Sequence, residues 1–232
     1  MKKKYFLIVI CSLTLLCISC KTQKTVCPKI QLYKNIHSAR VITEANTKVI
    51  ESTKDFMIKS RIKNHDTVLS IGAETGEKEF IISMFTDSIL FYLEDINTSR
   101  ISQNNIEIVY TPYYSKMRGS PITNKFVTVK GTPKTIPMSD NSVNKIIIYK
   151  AYHHFKHDTD MMNECYRILR KNGIMTIGEH VLKKNKKSRK FCTGGGWYKT
   201  EENFVKDIEK TGFKSDTIYS SDEYWRIFVF SK

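Results

Sequence analysis

Three short stretches hold residues whose types and spacing fit chemistry. The first is Ser70-Ile71-Gly72-Ala73-Glu74-Thr75-Gly76, set between an apolar run, Val68 to Ile71, and a helical stretch, Glu77 to Phe85. Glycine directly after a strand lets backbone approach a ligand closely. The helix start beyond it offers free N–H groups and partial positive charge. Taken alone, the same letters also fit a plain strand-to-helix turn. The second stretch is Glu94-Asp95, which closes the apolar run Ile89 to Leu93. A carboxylate there, roughly 20 residues beyond the glycines, is placed to accept from both hydroxyls of a ribose. A single acid in that place serves equally as a helix cap or a solvated turn. The third stretch follows the run Lys145 to Tyr149 and presents Tyr149, Ala151, His153 and His154. Imidazole titrates near neutrality, so either histidine can take a proton from a nucleophile. Either can also pack against, or cap, the next helix.

These residues need elements to position them. Asn35 to Arg61 is rich in helix formers, with Val41, Ile42, Ala45, Val49 and Phe56 approximating one face. Strands are expected at Val68–Ile71, Ile89–Leu93, Phe126–Val129, Lys145–Tyr149 and Ile174–Ile177, and helices at Glu77–Phe85 and Asp158–Arg170. Asn97 to Ser120 reads as irregular, with tyrosines at 110, 113 and 114. Thr200 followed by Glu201 and Glu202 gives a helix cap and an acidic first turn, and Gly212 ends that helix. Phe213–Tyr219 and Tyr224–Phe230 form a hairpin. Strands alternating with helices predict a parallel sheet covered on both faces, with an antiparallel finish.

The middle of the chain sharpens this. It reads Ile136-Pro137-Met138-Ser139-Asp140-Asn141-Ser142, then the fourth strand, then Ala151-Tyr152-His153-His154-Phe155, and later Arg167-Ile168-Leu169-Arg170-Lys171-Asn172-Gly173 before the fifth strand. In order, spacing and strand placement this resembles the class I S-adenosylmethionine-dependent methyltransferases of the small-molecule, type-11 kind, over about Tyr33 to Lys232. The resemblance implies a three-layer α/β/α sandwich with a seven-stranded, mostly parallel sheet, and S-adenosylmethionine as cofactor. It puts Ser70, Gly72, Glu74 and Gly76 in the loop along the methionine part, Asp95 on the ribose, and Thr132 where an acid usually meets the adenine amino group. It sets Tyr149, Ala151 and His154 where cofactor and acceptor meet, with His154 as the candidate catalytic base. It accounts for the histidine pair better than a metal site of His153, His154, His157 and Asp158 would, so no metal is expected.

The sequence departs from the family pattern at acids. Ser70, Thr132 and Asn144 stand where the family carries carboxylates, Glu74 replaces the middle glycine, and Asn172 takes the place of one glycine of the later pair. The cofactor's sulfonium and ammonium are cationic, so lost acids weaken attraction. One hydrogen bond to a charged group is worth about 1.5–3 kcal/mol. Glu74 is one replacement for the charge missing at Ser70.

The N-terminus reads as an address. Lys2, Lys3 and Lys4 precede an uncharged, mostly apolar stretch to Ser19, and Leu16-Cys17-Ile18-Ser19-Cys20 resembles a bacterial lipobox, with Cys17 where leucine is usual. The expected division is a signal peptide over 1–19, lipidated Cys20 and a tether over 20–34, and the methyltransferase-like domain over 35–232. An uncleaved N-terminal anchor is the other reading, and both place the body beyond the inner membrane, on the periplasmic side or in the cell envelope. Cys27, Cys165 and Cys192 remain as thiols without a Cys-x-x-Cys pair. With 41% hydrophobic and 26% charged residues, the 232-residue chain is globular rather than disordered or collagenous. Loss of Lys2, Lys3 and Lys4 with the signal lowers the formal charge from +15 to +12. Membrane headgroups are the expected anionic partner, met by the N-terminal lipid and by Lys183, Lys184, Lys186, Lys187, Arg189 and Lys190; a solvated loop is the plainer reading of that run. Nucleic acid is not expected from one short basic run without interleaved aromatics. Trp197, after Gly194-Gly195-Gly196, reads as a lid over the pocket or as a core cap. An exported body sits awkwardly with a cofactor made in the cytosol. Two functions therefore stay open: a methyltransferase on an unknown small-molecule or lipid-like acceptor, and a membrane-anchored lipoprotein that keeps the fold as a binding module.

Overall fold

The computed structural model describes residues 44–182, 189–190 and 197–232. The signal, Cys20, the tether, Cys27, Cys192, the lysines 183, 184, 186 and 187, and the Trp197 side chain lie outside the described residues or side chains.

The chain builds a seven-stranded sheet in the order β3-β2-β1-β4-β5-β9-β8. The strands are β1 (Thr67–Ile71), β2 (Leu90–Asp95), β3 (Lys125–Lys130), β4 (Val143–Tyr149), β5 (Leu169–His180), β8 (Lys214–Ser220) and β9 (Trp225–Ser231), and a separate pair joins β6 (Arg189–Lys190) to β7 (Trp197–Tyr198). The first five sheet strands are parallel, and β9 runs antiparallel between β5 and β8. Continuous apolar runs explain this choice. Val68, Leu69 and Ile71, like Ile146, Ile147 and Ile148, are buried whichever face they point to, as a strand covered on both sides requires. The expected sandwich and sheet are thus what the chain forms.

One layer holds α1 (Glu44–Lys59) and α2 (Glu77–Ser83). α1 turns Thr53, Phe56 and Met57 inward; Val49, from the expected stripe, is half-buried. The same layer contains a correction. Residues 98–118 are not irregular: they form a 3-10 turn, a short helix, a π-helical turn at Ile106–Tyr110 and α3 (Thr111–Arg118). Ile106, Val109, Tyr110 and Tyr114 are the buried face, spaced three and four apart. They stack on Phe80, whose ring centroid lies 4.8 Å from Tyr110, 5.4 Å from Tyr114 and 4.4 Å from Phe126. Polar residues between these positions and the inserted π-turn hide the period in the sequence.

The other layer holds α4 (Asp158–Ile168) and α5 (Glu201–Glu209). They bury Met161, Met162, Cys165, Ile168, Phe204 and Ile208 against the sheet, together with Phe228 and Phe230 of β9. Thr200 caps α5 by accepting from the Asn203 N–H at 3.4 Å, and Gly212 takes the left-handed φ of 99° after it.

No helix lies between β3 and β4; residues 131–142 are a loop. Arg167 secures it from α4. Its guanidinium donates to both Glu164 oxygens at 2.9 and 2.8 Å, to Asp140 Oδ1 at 2.6 Å and to the Met138 and Ile136 carbonyls at 2.8 and 3.2 Å. The arginine that marks the sequence pattern is therefore a brace for the loop leading into β4. Asn144 also proves structural. It accepts from the Thr67 N–H and donates to Asp66 Oδ1, both at 2.6 Å, tying the starts of β1 and β4. The site is at the other end of β4, so an acid lost at Asn144 takes nothing from the charge around a bound cofactor.

Candidate active site

The order of strands reverses between β1 and β4, and a parallel sheet opens a crevice at the C-terminal ends of its strands there. A cleft of about 580 Å³ occupies that position. Ser70, Gly72, Glu74, Asp95, Thr132, Tyr149, Ala151 and His154 all line it. Residues from four separate stretches of sequence thus converge on one space.

The glycine loop is strapped to the end of β2. The Ala73 N–H donates to the Glu94 carbonyl at 2.9 Å, the Gly72 N–H to Glu94 Oε2 at 3.4 Å, and the Glu74 N–H to Asp95 Oδ2 at 3.0 Å. Gly72 has φ +68°, and a Cβ there would lie 2.6 Å from Ala151 Cβ, so the backbone itself forms the cleft wall. Glu74 keeps the left-handed φ, 52°, at the position of the family's middle glycine. That costs a side-chain-bearing residue about 1–2 kcal/mol. Its side chain is exposed at the rim. Gly76 does not line the cleft: it begins α2 at φ +72°, and a Cβ on it would lie 2.7 Å from Ile101 Cδ1.

Asp95 is half-buried, and its Oδ1 also accepts from the Asn97 N–H at 2.8 Å. A carboxylate has about four acceptor positions, so two backbone amides leave room for ligand hydroxyls. The Thr132 hydroxyl holds its own turn, accepting from the Thr135 N–H at 2.9 Å and the Lys134 N–H at 3.2 Å. Tyr149 is wedged by Phe56 and Trp225, with ring centroids 5.0 and 5.1 Å away, and Lys78 Nζ sits 4.1 Å from its ring centroid. Burial pushes the Tyr149 phenol up and the Lys78 ammonium down.

The two histidines separate. His153 is buried, with Nδ1 2.8 Å from Glu179 Oε2, and its N–H donates to the same oxygen at 3.2 Å. The Glu179 carboxylate also accepts the His180 N–H at 2.7 Å, so it holds the mouths of β4 and β5 together. His154 lines the cleft, its ring centroid 4.1 Å from that of His153. Partial burial, then the neighbouring His153, lowers its pKa, which favours the neutral, proton-accepting ring.

Besides Glu74 and Asp95, three carboxylates line the cleft: Glu94 of the Glu94-Asp95 pair, and Glu77 and Glu79, which the sequence does not single out. Glu94 lines the cleft, burial raises its pKa to about 7, and its Oε1 is buried without a partner. Glu79, on α2, lines it as well, and Ser70 Oγ donates to its Oε1 at 2.6 Å. The carboxyl group beside Ser70 is therefore that of Glu79 and not that of Glu74. Ser70 in an acid's place is the one sequence signal that a carboxylate must reach this spot from elsewhere.

Comparison with known proteins agrees with this geometry. A methyltransferase-domain family model matches residues 95–177. The sterol 24-C-methyltransferase of Pneumocystis carinii is 28% identical over 121 residues, which are 52% of this chain and 29% of that enzyme, so the match spans under a third of the relative. Among solved structures, a SAM-dependent methyltransferase from Aquifex aeolicus aligns with a TM-score of 0.59 at 15% identity, covering 87% of this chain and 97% of the other. The [4+2]-cyclase SpnF aligns at 0.63 and 12% identity, covering 82% and 83%. Phosphoethanolamine N-methyltransferase 2 of Haemonchus contortus, solved with phosphomonomethylethanolamine and S-adenosylhomocysteine, aligns at 0.58 and 12% identity over 78% and 52%. Neighbours that include a cyclase show that this fold alone does not fix a reaction. Sheet order, cleft and matched segment together place the chain on the class I S-adenosylmethionine-dependent methyltransferase fold.

Proposed function

We propose that the protein is an S-adenosylmethionine-dependent methyltransferase whose acceptor is a small or lipid-like molecule. The observation that carries this is the convergence of the glycine loop, Asp95 and the Tyr149–His154 mouth on one cleft at the reversal of strand order. The residues present fit the cofactor. Gly72 presents bare backbone to the cleft at a point where a Cβ would collide with Ala151, the orphaned Glu94 Oε1 asks for a donor, and about 580 Å³ suits a nucleoside with an amino-acid tail. Asp95 would accept from the ribose, and Gly72 and Ser70 would lie along the amino-acid part. When bound, S-adenosylmethionine supplies a methyl group already activated on sulfur. The chain's task is then alignment of the acceptor, the source of much of the rate in such reactions. His154 stands at the mouth with a lowered pKa, ready to hold the proton of an acceptor that must lose one. His153 and Glu179 fix the backbone turn that presents it. The sterol enzyme and the phosphoethanolamine enzyme, by their names, support acceptors of this class.

Titration calorimetry with S-adenosylmethionine and S-adenosylhomocysteine is the direct test: binding is expected, and no heat at millimolar ligand would overturn the cofactor assignment. With labelled cofactor and either a sterol or phosphoethanolamine as probe, His154→Ala is expected to lower turnover by about 100-fold or more without changing cofactor affinity. Binding without transfer to any acceptor tried would instead support the binding-module reading.

We also propose that the domain is held at a membrane beyond the bacterial inner membrane by acyl chains on Cys20, with the basic run at residues 183–190 facing anionic headgroups. The support is the lipobox-like sequence ending at Cys20, and acyl burial of about 0.8 kcal/mol per CH₂. Among the described residues no helix is long and apolar enough to cross a membrane. Cys20→Ala is expected to move the protein from the membrane to the soluble fraction and to alter its processed size; unchanged fractionation and size would remove the lipid from the account.

A further inference from the structure

The cleft wall formed by α2 carries two opposite charges side by side, Lys78 and Glu79. Glu79 is 3% exposed, and its hydrogen-bond donor is a neutral one, Ser70 Oγ at 2.6 Å. The nearest cation acting on it is Lys78, whose Nζ is instead placed over the Tyr149 ring, 4.1 Å from the centroid. A buried carboxylate whose hydrogen-bond partners, the Ser70 hydroxyl and its own backbone amide, are both neutral is an unfavourable arrangement, and burial accordingly raises its pKa. A cationic group entering the cleft removes that penalty. The other carboxylates differ: Glu74 is exposed at the rim, Glu77 is half-buried at the start of α2, Asp95 is engaged by two backbone amides, and Glu94 stands by the end of β2 with the Gly72 amide.

We propose that Glu79 and Lys78 form a zwitterion clamp for the amino-acid end of the cofactor, Glu79 receiving its ammonium and Lys78 its carboxylate. Glu79, reaching across from α2, thereby supplies the negative charge that Ser70 lacks, and the Ser70 hydroxyl orients it. This rests on the cofactor reading above and deepens it: the ligand class recognised at this wall is an α-amino acid attached to the nucleoside.

The test compares S-adenosylhomocysteine with 5′-methylthioadenosine, which shares the nucleoside and lacks the amino-acid group. In calorimetric titrations Glu79→Gln is expected to lose at least tenfold in affinity for S-adenosylhomocysteine and to bind 5′-methylthioadenosine as the unaltered protein does. The double variant Ser70→Asp with Glu79→Gln, which moves the carboxylate to the strand, is expected to recover most of the loss. Unchanged affinity for S-adenosylhomocysteine, or an equal loss for both ligands, overturns the clamp. If Glu79→Gln fails to fold, Lys78→Met keeps an apolar stem over Tyr149 and removes the charge; it is expected to weaken S-adenosylhomocysteine several-fold and spare 5′-methylthioadenosine, and no change for the first overturns the clamp. Should the unaltered protein bind neither ligand, the cofactor assignment itself falls. Should it bind both equally well, the clamp alone falls.

Discussion

Replacing Asp95 with alanine is expected to weaken S-adenosylhomocysteine binding by about 100-fold or more while leaving a cooperative melting transition. A hydrogen bond to a charged group is worth about 1.5–3 kcal/mol, and a ribose offers two hydroxyls to one carboxylate. The loss is therefore expected at about 3 kcal/mol at the least. The backbone amides of Glu74 and Asn97, which Asp95 accepts at 3.0 and 2.8 Å, belong to exposed residues that water can serve after the truncation. The fold thus survives while the ligand loses its partner. Calorimetry on the folded variant decides it: affinity within threefold of the unaltered protein would show that Asp95 only caps its own turn.

A second large effect is expected from Glu94→Gln, and it depends on pH. Burial raises the Glu94 pKa from 4.5 to about 7, with the Asp95 charge adding to the shift. In the folded protein the carboxyl therefore keeps its proton over a range where the unfolded chain has lost it. The stabilisation is complete below about 4.5 and drains away as pH rises through about 7. The full difference is about 3 kcal/mol. Glutamine carries no titrating proton, so the variant should match the unaltered protein near pH 4 and exceed it by about 2–3 kcal/mol near pH 8. In a domain of this size that raises the melting temperature by roughly 5 °C or more. Glu79, raised in the same direction, is present in both proteins and cancels in the comparison. Equal melting temperatures of the two proteins at both pH values would refute a buried, protonated Glu94.

Much of the fold was legible because burial on both faces makes parallel strands into runs dominated by apolar residues. β1 and β4 stand out for that reason, and the hairpin of β8 and β9 by its turn. Residues 98–118 were not legible: their buried Ile106, Val109, Tyr110 and Tyr114 are diluted by Asn, Glu, Thr and Pro, and the π-turn breaks the regular helical repeat. Within the site, Gly72, Asp95, Tyr149 and His154 were readable because each sits at the end of a strand, where position follows from topology. Glu79 was hidden in Glu77-Lys78-Glu79, a run that looks like the solvated first turn of any helix. Only the inward rotation of α2, driven by burial of Phe80, Ile81 and Ile82 beside it, turns that acid into the cleft. Asn144 was misjudged for the opposite reason. Its residue type pointed to lost cofactor charge, but its place at the start of β4 gives it a purely structural bond to Asp66.

β9 has a kinetic consequence. It lies between β5 and β8, burying Phe228 and Phe230, yet it follows every other strand of the sheet in chain order. Until residues 225–231 arrive, the hydrogen-bonding edge of β5 stays open and the layer under α4 and α5 lacks two of its largest rings. Pairings between distant parts of a chain are slow to form, and an open edge of this kind keeps the nascent chain in an unlocked, chaperone-accessible state. Folding is thereby coupled to completion of the sheet.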